Sequence, residues 1–476
     1  MIDVSNVLRQ VPHFETFCSV AKLRKLVESL RGDSRFHIQT LGESVGGEPI
    51  HHVRFGSGSL KALVVGGPHA MEPIGSLTVF SLLTLLHQRN RTLLDADIEW
   101  HVVPCIDPDG AVLNEGWTQA PFTFENYVKN FYLQSTADMV DTSFPIKHKR
   151  LVWEQPSREA ALLKGLIDRV LPDFYYGLHN AWIGGAFYFI SRDIDHEYHR
   201  ELYSLLERHG VAVQRRPLWK EVCAQYGEGI VEMIDVTKHY DYVERTTPNP
   251  ENVVRYGASS RYYLTSIKPE ALTFVTEMGY IRHPGDESEK DTGQNLRKFQ
   301  LRLDADNKYL GAILLEEWEK VKGQVDPRSP FYRAIVGGIA FPLDKERLME
   351  GGMPLSWYPT RDLLFNSAYD KVMTEGDRFN ACMINSGACF PRLAYQLVRL
   401  LQASPQSVQV RQSIVRLERA FDEALADIGR HVDFDAFEVI DCDTLAKVQL
   451  GSGLIVLNSM LEAQSRRSQD RRYANA

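Results

Sequence analysis

Leu63-Val64-Val65-Gly66-Gly67-Pro68-His69-Ala70-Met71-Glu72 is the stretch from which the rest of the chain can be read. Its apolar run has the length and Val content of a buried strand. It stops at two glycines and then presents an imidazole and a carboxylate three residues apart. If Pro68 opens a helical turn, positions 69 and 72 share one face and can reach one cation. A carboxylate supplies hard oxygen and an imidazole borderline nitrogen. A catalytic zinc site takes three such protein ligands and leaves one place for water.

The pattern on either side of this stretch gives its context. Residues 1–46 read as a helical lead-in, with Val20, Leu23, Val27 and Leu30 on one helix face. From Ile50 onward short apolar runs alternate with helical stretches: strands at Ala62–Val65, Ile98–Val103 and Phe174–Leu178, helices at Ser76–Leu86 and Glu159–Val170. A second set follows, with a helix at Tyr198–His209 and strands at Val211–Val213 and Leu272–Thr276. Such alternation predicts an α/β fold, with functional loops at the carboxyl ends of the strands. The signal fades after Val321. Residues 330–366 read as loop-rich, Val408–Ile428 and Leu445–Leu461 as helical, and the arginine-bearing tail Ser465–Ala476 as a frayed end. The expected division is a layered domain over residues 1–325 and a separate, mostly helical C-terminal domain over 326–476.

Composition excludes several classes of function. The 476 residues are 44% hydrophobic, 24% charged and 10% aromatic, which are ordinary globular values and argue against disordered or fibrous chains. A net charge of −8 gives no global cationic field to hold nucleic acid or an anionic membrane. No apolar run approaches the ~18–20 residues of a membrane helix, so neither a nucleic acid nor a membrane is expected as partner, and a cytoplasmic location is expected. The six cysteines form no C-x-x-C pair and read as reduced, mostly buried thiols.

Two further strand ends carry chemistry. Asp173-Phe174-Tyr175-Tyr176-Gly177-Leu178 runs into His179, so that His69, Glu72 and His179 make a His₂Glu zinc set. Ala271-Leu272-Thr273-Phe274-Val275-Thr276 runs into Glu277. Apolar neighbours disfavour the ionised form of Glu277 and a nearby metal favours it, which suits a general base. His196-Glu197-Tyr198-His199 has ligand types at helical spacing, but reads as the polar face of a helix.

In their order along the chain, Gly67–Glu72, Ile106-Asp107-Pro108-Asp109-Gly110, Leu178-His179-Asn180 and Phe274-Val275-Thr276-Glu277 resemble the signature of the zinc carboxypeptidases of the carboxypeptidase A type. The likeness extends over roughly residues 40 to 290. Gln155–Ala160 resembles the family's segment that opens the helix before the last zinc histidine. The resemblance implies a three-layer α/β/α domain with a mixed, largely parallel central sheet. It also implies Zn²⁺ as cofactor on His69, Glu72 and His179, Glu277 as catalytic base, and Tyr256 as a substrate-capping tyrosine.

Departures from the family pattern bear on the substrate. Val128-Lys129-Asn130-Phe131 stands where the family holds the terminal carboxylate with Asn-Arg. Lys129 keeps a charge there but lacks the bidentate fork. Asn126 stands where an aspartate would orient the first zinc histidine, and Thr118 where an arginine would polarise the scissile carbonyl. Arg261 falls near the specificity position and suits an acidic group. Lys129, Asn130, Tyr256 and Arg261 are therefore the expected substrate-binding residues. The expected reaction is zinc-dependent cleavage of a C-terminal amide bond, next to an acidic residue. The alternatives are an N-acyl-amino-acid amidase resembling succinylglutamate desuccinylase and aspartoacylase, whose substrate is an acylated amino acid, and a catalytically silent zinc-containing binding protein.

Overall fold

The computed structural model describes residues 1–214, 222–245, 248–339, 367–385 and 389–474. Nine strands form the main sheet: β1 (Phe36–Glu43), β2 (Pro49–Phe55), β3 (Leu60–Gly66), β4 (Ile98–Val103), β7 (Phe174–Leu178), β8 (Phe187–Ile190), β9 (Gln225–Gly227), β10 (Ile230–Glu232) and β11 (Leu272–Glu277), while β5 (Ile146–His148) and β6 (Leu151–Trp153) make a separate hairpin. The spatial order is β1-β2-β4-β3-β7-β11-β8-β10-β9. The central block β4-β3-β7-β11 is parallel, and antiparallel pairs flank it on both sides.

Both faces of the sheet are covered, which is why its central strands read as continuous apolar runs. Successive residues of β3 alternate between two cores: Ala62 and Val64 pack on one side with Phe174, Tyr176 and Phe274, while Leu63 and Val65 pack on the other with Tyr175 and Val103. Helices Ile74–His87 and His196–Arg208 contribute to the first core, and helices Arg158–Val170 and Val236–Glu244 to the second. The expected three-layer α/β/α domain is present.

Three parts of the chain differ from the sequence reading. The lead-in holds helix Val20–Leu30, with all four predicted apolar positions buried, but also β1, which pairs antiparallel with β2. Only Phe36 of β1 is buried, because an edge strand on one neighbour has little core to fill. Val211–Val213 makes only an isolated bridge, Val213 to Ala186. The stretch expected to be loop-rich starts with helix Pro330–Ile339, and residues 340–366 lie outside those described.

The C-terminal region divides in two. Helices Leu296–Val321, Pro330–Ile339, Cys389–Gln402 and Val408–Gly429 build a third core from residues such as Trp318, Phe331, Leu397 and Leu417, and this core takes in Ala70 and Tyr132. The last helix, Cys442–Ala474, was expected with that helical domain. It packs instead on the layered domain, against helices Ile74–His87 and His196–Arg208 and strands β7 and β11. Its segment Cys442–Arg466 is long and apolar enough to cross a membrane, yet 78% of that apolar window is buried inside the protein. Burial on several sides accounts for its composition, and it continues as helix through the tail expected to fray.

Candidate metal centre and active site

Three neighbouring parallel strands, β3, β7 and β11, end on the candidate residues. β3 ends at Gly66, where a Cβ would lie 2.4 Å from the Pro104 carbonyl oxygen, and Gly67 turns the chain at φ +63°. Pro68 does not open a helix. A single turn closes instead, with Glu72 N–H donating to the His69 carbonyl (3.2 Å), and the helix starts at Ile74. That turn is enough to put both side chains on one side. Asn180, after β7, accepts from Ile74 N–H (3.0 Å) and its own N–H donates to Glu72 Oε2 (3.3 Å), which ties the two strand exits together.

His69 Nδ1 lies 2.7 Å from Glu72 Oε1, and His179 Nδ1 lies 2.9 Å from Glu72 Oε2. The imidazoles meet edge to face with centroids 4.6 Å apart, and one donor atom from each of the three residues falls within 4.8 Å of the others. The donor chemistry fits a metal. His179 Nε2 lies 2.9 Å from Asp141 Oδ2, so a metal-bound ring would keep its Nε2 proton on that carboxylate and turn its Nδ1 lone pair to the cation. His69 Nε2 is buried with no hydrogen-bond partner among the described residues, while its Nδ1 faces Glu72.

The local electrostatics follow from burial and these neighbours. Burial works against the Glu72 charge, but His69 and His179 outweigh it and hold the carboxyl down at about 2. Burial likewise opposes charge on His179, yet Glu72 and Asp141 raise its proton affinity against burial and Arg261. Asp141 would be raised by burial, but Arg261 and then His179 hold it well below the carboxylate range. Glu277, at the end of β11, is pushed well above the usual carboxylate range by burial and by the charge of Glu72, with His69 and Arg261 acting in the opposite sense.

Of the expected substrate residues, Lys129, Asn130 and Tyr256 bond to partners outside this centre and Arg261 bonds within it. Lys129 Nζ bonds Glu125 (2.5 Å) and lies over the rings of Tyr395 and Phe421, facing the C-terminal helices. Asn130 donates to Asn126 Oδ1 (2.8 Å). Asn126 in turn donates to the Gly116 carbonyl rather than orienting a metal histidine. Tyr256 is held by its hydroxyl to His239 Nδ1 at 2.6 Å. Arg261 does reach the centre: its Nη1 donates to Asp141 Oδ2 (2.5 Å), 2.6 Å from His179 Nε2, and it lines a cavity of about 300 Å³ together with Ser191, Asp235 and Thr273. Asp141, which the sequence reading did not single out, is the carboxylate that orients a candidate ligand. Asp107 caps helix Pro108–Thr118 by accepting from Gly110 N–H (2.9 Å), and burial foremost pushes its carboxyl up to about 7. His199 of the His196–His199 pair forms an ion pair with Asp193 (3.0 Å), in the segment just before its helix.

Residues 23–127 match the family model described as zinc carboxypeptidase, a span that includes His69, Glu72 and the Asp107–Gly110 turn. Over that span, about a fifth of the chain, the sequence is similar to the zinc carboxypeptidases. Among solved structures, the chain is similar to carboxypeptidase A from Helicoverpa armigera, at 12% identity and a TM-score of 0.36, covering 56% of the chain and 65% of that structure. It is also similar to a metallo-carboxypeptidase from Pseudomonas aeruginosa in complex with (2-guanidinoethylmercapto)succinic acid, at 15% identity and a TM-score of 0.36, covering 55% and 60%. A metallo-carboxypeptidase from Burkholderia cenocepacia matches at 13% identity and a TM-score of 0.34, covering 55% and 60%. No curated protein matches the chain.

Proposed function

We propose that the protein hydrolyses the C-terminal amide bond of a peptide, with His69, Glu72 and His179 holding zinc and Glu277 as general base. The observation that carries this reading is the convergence of two imidazole Nδ1 atoms on one carboxylate at the ends of neighbouring parallel strands, with a second, partly buried acid, Glu277, at the end of the next strand. Zinc supplies Lewis acidity toward a water and the scissile carbonyl. Glu277 takes the proton of the attacking water and passes it to the leaving amine. A carboxyl whose proton affinity is raised by burial and by Glu72 suits both halves of that transfer. Asp141 fixes the His179 tautomer, and Arg261 balances the charge of Asp141.

The preference for a bond next to an acidic residue is part of the same proposal. It is supported by Arg261, whose Nε is buried without a hydrogen-bond partner among the described residues and whose Nη1 lies 2.6 Å from His179 Nε2. Elemental analysis and turnover of blocked peptides test the whole. The parent should carry one zinc per chain and His179→Ala should lose it. Glu277→Gln should keep the zinc and lose about 10²–10⁴-fold in turnover, the usual worth of a positioned base. Undiminished zinc in the first variant, or turnover within about threefold of the parent in the second, overturns the assignment.

A further inference from the structure

Helix Cys389–Gln402 of the third core carries Arg392 to a place where three aromatic faces meet. Its guanidinium carbon lies 5.1 Å from the ring centre of Tyr127, 4.8 Å from Phe131 and 4.9 Å from Trp182. Trp182 stacks parallel on Tyr127 at 5.7 Å, and Tyr127 meets Tyr280 edge-on at 6.3 Å. Both flanking rings extend from the strand exits of the active site, Trp182 three residues beyond His179 and Tyr280 three beyond Glu277. Burial and Tyr127 push the Tyr280 hydroxyl well above the tyrosine range, and it senses the charges of both Arg392 and Glu72. Trp182 and Tyr280 thus extend the strand ends that carry His179 and Glu277 toward the aromatic cage.

The other cations along this side have partners. Lys129 bonds Glu125, Arg261 bonds Asp141, Arg333 bonds Asp138, and Arg399 donates to the carbonyls of Leu113 and Asn130. Arg392 differs: Nε and Nη2 are buried and have no hydrogen-bond partner among the described residues, although the residue as a whole is only half-buried. Ring faces stabilise the positive charge but accept no strong hydrogen bond from it. A guanidinium so held keeps a planar fork of donors that matches the two oxygens of a carboxylate.

We propose that Arg392 binds a carboxylate of the substrate, so that a cation from the C-terminal helical part completes the site built on the sheet. This rests on the reading of the metal centre as a peptide hydrolase. It also gives the third core a function, because residues of helix Cys389–Gln402 and Ala70, next to His69, belong to that core.

Two measurements test it. Succinate, which the enzyme cannot hydrolyse, is titrated into the zinc-loaded full-length parent and into Arg392→Met. Binding should weaken about 10–100-fold in the variant while its zinc content stays that of the parent. Equal affinity in a folded, zinc-loaded variant overturns the proposal and leaves the guanidinium a packing element. If the methionine variant fails to fold, the Arg392 Nε–H resonance of the parent is followed as succinate is added; a shift supports the contact and an unmoved resonance overturns it. Turnover then identifies which carboxylate is bound. A loss of kcat/KM confined to peptides with a free C-terminus points to the terminal carboxylate, and a loss confined to acidic side chains points to those. A parent that cleaves no peptide sinks the hydrolase reading, while the succinate result still decides whether Arg392 binds carboxylates.

Discussion

Asp141 shows how much a single side chain adds to the metal centre. Its Oδ2 takes both His179 Nε2 and Arg261 Nη1, and its Oδ1 accepts from the N–H and hydroxyl of Ser260 (3.1 and 2.5 Å). With those bonds the imidazole has one tautomer and one orientation, and its Nδ1 keeps its basicity. Asp141→Asn preserves the shape but removes the charge that favours a ligated imidazole. Zinc affinity, measured by competition with a chelator, should fall about 10–100-fold; unchanged affinity would mean that His179 is positioned by its packing alone. His69, Glu72, His179 and Glu277 were legible because each ends an apolar run, so that spacing and strand position point the same way. Asp141 was not, because it lies in the short turn Val140–Thr142 between segments with no periodicity. Lys129 and Asn130 were legible as residue types but not in direction, since what their helix faces depends on the distant helices that carry Tyr395 and Phe421.

At the scale of elements, β4 and β7 coincide residue for residue with the runs read from the sequence, because a strand covered on both faces is apolar along its whole length. β1 escaped because one-sided pairing leaves its alternation unfilled. The pair β2 and β4, next to it, contains a polar device of its own. His52 Nε2 donates to His101 Nδ1 (2.9 Å), and His101 Nε2 donates to Glu99 Oε1 (2.7 Å), with the two rings stacked at 5.1 Å. Burial first, and then the neighbouring His101, lower His52 to about 4. The folded pKa lies below the unfolded one, so the unfolded chain binds the extra proton between the two values. The contribution of His52 to stability is therefore complete above about pH 6.5 and is lost as pH falls toward 4, which amounts to about 3 kcal/mol over that window. His52→Gln should flatten this dependence. If denaturant titrations at pH 7 and pH 4 give the same loss for parent and variant, the histidine pair does not set the acid sensitivity of this edge.

Across the whole molecule, the last helix joins the end of the chain to its chemical centre. Periodicity along Leu445–Leu461 shows a helix but cannot show what lies on its several faces, so sequence alone left it with the C-terminal helices. Its apolar residues Leu445, Val448, Leu450 and Leu454 to Leu457 belong to the core beneath β3, β7 and β11, and Asn458 exchanges hydrogen bonds with the backbone of Ile2. Within this apolar face lies Gln449, fully buried, whose Nε2 donates to the His179 carbonyl (2.7 Å) and whose Oε1 accepts from Thr78 Oγ1 (2.7 Å). Tyr176 of β7 adds a bond from its hydroxyl to the Gln449 carbonyl (2.6 Å). The backbone that carries a candidate zinc ligand is thus anchored by a residue 270 positions away. Gln449→Leu keeps the volume and deletes both side-chain bonds, leaving a buried carbonyl and a buried hydroxyl unpaired at a cost of about 1–3 kcal/mol each. The folded chain should therefore melt lower, and because the lost bond seats His179, added zinc should restore less of the stability than it gives the parent. Thermal melts of both proteins with and without zinc measure the two effects separately. A variant that is destabilised but gains as much from zinc as the parent does would show that the helix supports the fold without seating the ligand.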